Sequence, residues 1–335
     1  MGRRELTLAV QGRPVRLSHP DRVMFARQGW TKLDLATHYV VCSGGALRAV
    51  YGRPTVLKRW PDGTAGEPFF QKRAPKPGPA DGWQREYATV RFPSGRSADL
   101  FVPRHPADLV WMTQLHCLDF NPWPVRAEDV DHPDELRVDL DPSPDADYAA
   151  VRQVALVCRE VLQDHGLTGW AKTSGSRGIH IYARIAPEWS FSQVRRAALA
   201  LAREVERRCP HQATSAWWKE ERHGVFVDYN QNARDRTMAS AYSVRPTGLV
   251  SAPLTWDEVP EAELEDFPMD TFAARYARVG DLMAGMDDTP GRLDALLELS
   301  QAQAGAGQGE APYPPHFPKG PGEPPRVQPS RRRRA

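Results

Sequence analysis

The run Leu136-Arg137-Val138-Asp139-Leu140-Asp141-Pro142 constrains this chain more than any other segment. Side chains on a strand alternate between its faces, so residues two apart share one. Val138 and Leu140 then point into a core, while Asp139 and Asp141 stand side by side on the opposite face. Two carboxylates so placed repel each other and cost stability unless divalent cations sit between them. A second strand-like run, Gly224-Val225-Phe226-Val227-Asp228-Tyr229, offers a third carboxylate among apolar neighbours. Three acids on adjacent strands suit two magnesium or manganese ions, the arrangement that serves in-line phosphoryl transfer. Local sequence leaves plainer readings open: a solvated strand end for Asp139 and Asp141, and a turn cap shared with Asn230 for Asp228.

Helices and strands alternate around these acids. Tyr148 to His165 places Val151, Val154, Ala155, Cys158, Val161 and Leu162 on one stripe, with Asp147 as N-cap and Gly166 past the end. Ser192 to Arg208 carries Val194, Ala198, Leu201 and Val205 in the same period, and Gly178 to Ile185 alternates as a strand between the two. The order from residue 136 is strand, helix, strand, helix, strand, with acids on the first and last. It predicts an α/β or α+β catalytic sheet. Residues 1 to about 110, with short strands such as Ala49 to Trp60 and a Pro-rich loop over 74–82, read as a smaller N-terminal lobe. Residues 111–300 read as the catalytic lobe. From about 301 the composition turns to Gln, Ala, Gly and Pro and ends in Arg331-Arg332-Arg333-Arg334. Such a stretch buries too little apolar surface to offset its ordering entropy, so 301–335 is expected to be a disordered tail. Its arginines would add nonspecific affinity for nucleic acid or simply be solvated.

Bulk composition excludes more than it assigns. A chain of 335 residues, 41% hydrophobic, can bury a large core, and a net charge of +2 gives no strong sign of a polyanion partner. Of 44 basic residues only seven are lysine. That arginine excess suits bidentate phosphate contacts, though a GC-rich genome gives the same bias. Cys42, Cys117, Cys158 and Cys209 lie far apart with no Cys-x-x-Cys spacing, against a zinc site or disulfide framework and for reduced thiols. No apolar leader opens the sequence, and no run approaches the roughly 18 apolar residues of a membrane span. The expectation is a soluble cytoplasmic protein without a membrane partner.

A second chemical cluster is Lys172-Thr173-Ser174-Gly175-Ser176-Arg177-Gly178-Ile179-His180. Its glycines let backbone amides approach an anion, and Lys172, Ser174, Arg177 and His180 could donate to phosphate oxygens. The Gly-Lys-Ser/Thr order of a Walker loop is missing. Taken alone, the loop also reads as a plain turn, and His180 as a satisfied core histidine.

Asp139-Leu140-Asp141-Pro142, the Lys172–His180 run and Val227-Asp228-Tyr229-Asn230-Gln231-Asn232 form one ordered set. Tyr242-Ser243-Val244-Arg245 and Val250-Ser251-Ala252-Pro253-Leu254-Thr255-Trp256-Asp257-Glu258 follow it. Together they resemble the polymerase domain of bacterial ligase D, within the archaeo-eukaryotic primase superfamily. Leu57-Lys58-Arg59-Trp60-Pro61-Asp62-Gly63, Phe69-Phe70-Gln71-Lys72, Ser18-His19-Pro20-Asp21-Arg22 and Trp30-Thr31-Lys32 are similar to that family's N-terminal segments. The likeness covers about residues 5–290. It implies an α+β primase-polymerase fold of two mixed lobes with an RRM-like catalytic sheet. It also implies a template-dependent nucleotidyltransferase that extends primers and fills short gaps in DNA repair, by end joining or excision repair. Asp139, Asp141 and Asp228 would hold two Mn2+ or Mg2+ ions, and Ser174, Arg177, His180 and Arg245 would grip the triphosphate of an NTP or dNTP. Lys58 would approach the nucleotide and Phe69 and Phe70 would stack on a base. Arg22 and Lys32 match a pocket for the 5′-phosphate across a gap. Ribonucleotides and manganese are the implied preference. Gapped or broken DNA, the end-bridging protein Ku and a separate DNA ligase are the implied partners, in a bacterial, nucleoid-associated setting.

The likeness has departures and rivals. Where the family often carries a histidine, Leu118-Asp119-Phe120-Asn121-Pro122-Trp123 has Asn121, which exchanges hydrogen bonds but carries no charge. No Lys-x-Asp-Gly adenylation motif is present and no length is left for a ligase or nuclease domain, so a stand-alone relative is expected. Arg22 and Lys32 equally read as surface charges and Arg245 as a structural salt-bridge partner. Phe69 and Phe70, being adjacent, cannot share one face of a strand. Two other functions use the same features: a primase that starts chains de novo, and a non-catalytic DNA-binding repair scaffold.

Overall fold

The structure, a computed structural model, describes residues 4–71, 73 and 83–319. Lys72, the Pro-rich loop 74–82 and Arg331 to Arg334 lie outside the described residues. The N-terminal part opens with an antiparallel hairpin, β1 (Glu5–Val10) and β2 (Arg13–Ser18), and a small pair, β3 (Val23–Phe25) and β4 (Trp30–Thr31). Thr31 caps helix α1 (Lys32–Val41), and the Asp34 side chain returns the bond to the Thr31 amide, fixing where the helix starts. After α2 (Ser43–Val50) come β5 (Thr55–Arg59), β6 (Phe69–Gln71), β7 (Glu86–Arg91), β8 (Ser97–Val102), α3 (Pro106–Gln114) and β9 (Asn121–Pro122). The strands order as β6-β5-β8-β7, and β9 pairs with β5, so this lobe's sheet borrows residues beyond 110. The strand expected over Ala49 to Trp60 is shorter: Ala49 and Val50 close α2, Gly52 turns the chain at φ +67, and extension begins only at Thr55.

The second part holds β10 (Glu135–Pro142), α4 (Tyr148–Asp164), β11 (Trp170–Thr173), β12 (Ile179–Arg184), α5 (Phe191–Arg208), β13 (Ala213–Thr214), β14 (Val225–Asp228) and β15 (Pro253–Leu254). Its six strands order as β13-β14-β10-β12-β11-β15, antiparallel except for the β13–β14 pair. Both helices expected from apolar period are present, with Asp147 capping α4 through the Ala150 amide. They pack on one face of the sheet, burying Val138 and Leu140, and leave the acidic face turned the other way. Strand β11 was hidden in the sequence: four residues are too few to show alternation, and they merge with the glycine loop that follows. Mixed helices and sheets in two layers give the α+β class expected.

Two further helices, α6 (Phe272–Val279) and α7 (Asp294–Gly305), close the described chain. The disordered tail expected from 301 is corrected for its first part. Helix α7 continues to Gly305, Ala311 is buried, and Arg195 donates to the Ala311 and Pro312 carbonyls at 3.2 and 2.6 Å while lying 4.0 Å from the Tyr313 ring. Backbone carbonyls hold this strap, so its composition carries no sign of it.

A buried ionic network joins the two parts. The Arg53 guanidinium is fully buried, bidentate on Asp134 at 2.6 and 2.9 Å and 2.8 Å from Glu135. Arg126 and Arg184 also reach Asp134, and Arg137 donates to Glu135 and to the Pro122 carbonyl of β9. The Arg53, Arg184 and Arg126 charges hold the Asp134 carboxyl well below its usual range despite burial.

Candidate active site

Register places the acids. Across the sheet Asp139 sits opposite Asp228 on β14 and opposite His180 on β12. Directly opposed residues bring their Cα atoms to about 4.5–5.5 Å, so three chemical side chains share one row. The Gln231 amide spans two of them, donating to Asp139 at 3.1 Å and to Asp228 at 3.4 Å, while His180 Nε2 lies 3.3 Å from the other Asp139 oxygen. Asp141, two residues along, keeps the same face but is exposed and pairs in register with Phe226. Among the described residues no three His, Cys, Asp or Glu side chains form a ready-made metal cage. The Asp139 oxygens instead meet His180 and Gln231.

The electrostatics mark where charge is uncompensated. Burial pushes the Asp139 carboxyl up to about 6 against the pull of Lys172 and Arg245; burial, then the Asp139 charge, does the same to Asp228. Asp141, exposed at its edge, is raised by the partial burial that remains and by Asp139. Carboxylates that resist ionisation together, with only oxygen donors among them, fit hard divalent cations such as Mg2+ or Mn2+. Asp228 also accepts from the Asn230 amide at 2.8 Å, so the turn cap expected as a rival is real and coexists with the acidic pair.

The glycine loop stands beside them. The Ser174 hydroxyl oxygen accepts from the Ser176 and Gly178 amides at 3.1 and 3.0 Å, which folds the loop and leaves its own hydrogen free to donate. Gly175 has φ +66, and a Cβ there would meet the Arg245 side chain at 2.5 Å, so only glycine admits that arginine. A cavity of about 240 Å³ is lined by Asp139, Asp141, Ser174, Arg177, His180 and Arg245, with Asn121 at its wall. Lys172 does not join them: it is fully buried, 2.7 Å from His180 Nδ1 and 2.6 Å from the Ser251 hydroxyl. The phosphate contact expected of it is thus corrected, because β11 turns its side chain behind the loop.

Lys58 approaches from the other lobe. Its ammonium lies 3.5 Å from Asp119, 5.1 Å from the Trp60 ring and 5.9 Å from the Phe70 ring, and Arg245 reaches Asp119 at the same 3.5 Å. Phe70 pairs with Lys58 across β5 and β6, whereas Phe69 pairs with Arg59 and lies 5.4 Å from its guanidinium. Both rings are exposed, about half their surface in water, and only Phe70 shares the Lys58 side. Farther out, Lys32 is buried and donates to the Ser18 carbonyl at 2.9 Å; burial and the Arg22 charge pull its amine down to about 8. Arg22 donates to the Pro61 carbonyl and pairs with Asp62 at 3.3 Å, so the positive corner that it forms with Lys32 is partly offset by an acid.

Sequence reasoning missed three residues and misplaced a fourth. Gln231 and Arg222, whose charge acts on both Asp141 and Asp228, lacked any period to flag them. Asp119 lies hidden between apolar Leu118 and Phe120, and the place of Lys172 depended on an unseen strand.

The sequence profile described as "LigD, primase-polymerase domain" matches residues 31–283. The chain is 31% identical over 313 residues to a multifunctional non-homologous end joining protein LigD of Mycolicibacterium smegmatis, and 28% identical over 286 residues to a bifunctional one of Bacillus subtilis. These matches take in 91% and 83% of the chain but only 40% and 45% of those relatives, so it spans less than half their length. A solved structure, the polymerase domain of Mycobacterium tuberculosis ligase D in complex with DNA, superposes with a TM-score of 0.75 at 31% identity, covering 82% of this chain and 99% of that one. No helix among the described residues is long and apolar enough to cross a membrane.

Proposed function

Because this chain belongs to the LigD primase-polymerase domain family, a family of nucleotidyltransferases, we propose that it is a template-directed polymerase that extends primers and fills short gaps in DNA. The observation that carries this reading is the row His180–Asp139–Asp228 beneath the Ser174–Gly178 loop. Asp139 and Asp141 line one cavity with Ser174, Arg177, His180 and Arg245, and Asp228 lies opposite Asp139 outside that lining. In the reaction the primer 3′-oxygen attacks the α-phosphorus of the incoming nucleotide and pyrophosphate leaves. Asp139, Asp228 and, once drawn in, Asp141 would hold the divalent ions, which supply acidity to the attacking hydroxyl and charge neutralisation at the phosphates. Ser174, Arg177, His180 and Arg245 would grip the triphosphate. Lys58 and Phe70 would hold the nucleotide from above, with Phe69 reaching another base. Ribonucleotide preference, manganese use, and Ku and a separate ligase as partners belong to the same proposal. Primer extension on gapped against blunt DNA, with both nucleotide pools and both metals, tests it; no incorporation under any combination would refute it.

The raised carboxyls fix a pH dependence. Groups that take up protons near pH 6 must release them when a cation binds. Metal affinity should therefore be flat above about pH 7 and fall roughly tenfold per pH unit per displaced proton below about 6. Calorimetric titration of Mn2+ in buffers of different ionisation enthalpy reads both the affinity and the proton count. A pH-independent affinity would remove these acids from the metal site.

The positive corner gives a second expectation. A DNA 5′-phosphate seated between Arg22 and Lys32 would gain about 1.5–3 kcal/mol per charged hydrogen bond. Replacing both by alanine should cut the preference for gaps bearing a 5′-phosphate by about tenfold or more, leaving extension of a simple recessed end intact. Equal filling of phosphorylated and unphosphorylated gaps by the unaltered protein would show that no such pocket operates.

A further inference from the structure

We propose that Lys172 is a positioning residue that fixes the proton of His180 on Nε2, so that this ring presents an N–H donor to the reacting face. The inference rests on the polymerase reading for its purpose and on hydrogen-bond polarity for its content. Three hydrogen bonds run in series: His180 Nδ1 to Lys172 Nζ at 2.7 Å, Lys172 Nζ to Ser251 Oγ at 2.6 Å, and Ser251 Oγ to the Thr173 carbonyl at 2.7 Å, with His180 Nε2 3.3 Å from Asp139 Oδ1 on the other side of the ring. Both ends dictate direction. The Thr173 carbonyl only accepts, so the serine hydroxyl spends its single hydrogen there and must accept from Lys172. At the other end His180 Nδ1 faces the Lys172 ammonium, which has hydrogens and no lone pair, so Nδ1 must accept. A neutral imidazole has one N–H, and with Nδ1 accepting from Lys172 that hydrogen sits on Nε2, toward Asp139.

Two Lys172 hydrogens are used, one on Ser251 Oγ and one on His180 Nδ1. Lys172, His180 and Ser251 are all buried. The backbone fixes the geometry as well: Lys172 lies directly opposite His180 in the β11–β12 register, and His180 directly opposite Asp139. With cations on Asp139, the same Nε2–H is left to donate to a phosphate oxygen in the adjoining cavity. An imidazole with its proton on Nδ1 would instead turn a lone pair toward both the carboxylate and the phosphates. Orienting groups of this kind typically change activity by about 10–100-fold when removed.

The test is long-range 1H–15N correlation spectroscopy on the full chain labelled at histidine, with His180→Gln to assign the signal. The expected spectrum shows His180 wholly in the Nε2–H form. A Nδ1–H ring, or protons on both nitrogens, would overturn the proposal without touching the polymerase reading, since no turnover is measured. In Lys172→Met the ring should become a mixture of the two neutral forms, and maximal incorporation rate should fall about 10–100-fold with a smaller change in nucleotide KM. Lys172→Gln, whose amide still donates, should restore most of the Nε2–H population. If Lys172→Met does not fold, Ser251→Ala serves: it frees Lys172 from one acceptor and should leave the His180 signal unchanged, while a shift to Nδ1–H there would contradict the direction assigned. A single unchanged Nε2–H form in folded Lys172→Met would equally sink the claim.

Discussion

Asp139→Asn and Asp228→Asn should each lower nucleotide incorporation by about a thousandfold or more, the effect of several kcal/mol of lost transition-state charge stabilisation. Both carboxyls are held near 6 by burial, and each lacks a cationic partner within bonding distance apart from the His180 contact. Their charge is thus an expense to the metal-free fold. The amides should therefore melt at the same temperature as the parent or higher, while gapped DNA still binds. That pairing of a dead enzyme with an undamaged fold separates a chemical role from a structural one. Incorporation within tenfold of the parent in either purified variant would remove the acid from the site.

Arg53→Met should have the largest effect on stability, about 3–5 kcal/mol, because it strands Asp134 and Glu135 in the interior with part of their compensation gone. Chemical denaturation of the two proteins measures the difference. The Arg4→Ala control removes a pair with Asp21 exposed on both sides and should change stability by less than about 0.5 kcal/mol. The pH dependence has a definite sign. The Asp134 carboxyl is depressed in the fold, so its contribution is present at neutral pH and lost as pH falls through the acid range. The variant should lose less on acidification than the parent. Equal midpoints for Arg53→Met and the parent would mean the network contributes specificity and no net stability.

Much of the catalytic half was legible because its elements are long. Seventeen residues of α4 repeat their apolar stripe several times, and Asp147 and Gly166 bracket it with side-chain and backbone chemistry that leaves a mark in the sequence. The acidic strand was legible for the opposite reason: Asp139 and Asp141 break an apolar run at the period of two. Short elements left no such mark. Strand β11 has four residues, and losing it put Lys172 in the phosphate loop when its side chain lies behind. Pairings remote in sequence were equally silent. Nothing local ties Asp119 to Lys58 and Arg245, or Gln231 to the opposed acids, since each depends on which strands become neighbours.

The strap beyond α7 bears on where this polypeptide can be cut. Arg195 donates to the carbonyls of Ala311 and Pro312 and also to the Asn230 side-chain oxygen, and Asn230 belongs to the very turn that begins at Asp228. A boundary chosen by eye, where glutamine and glycine begin to dominate, would shear off the far half of that clasp and leave a bare guanidinium behind the acidic turn. Expression fragments and fusions should keep Ala311 to Phe317, which a cut at 300 removes.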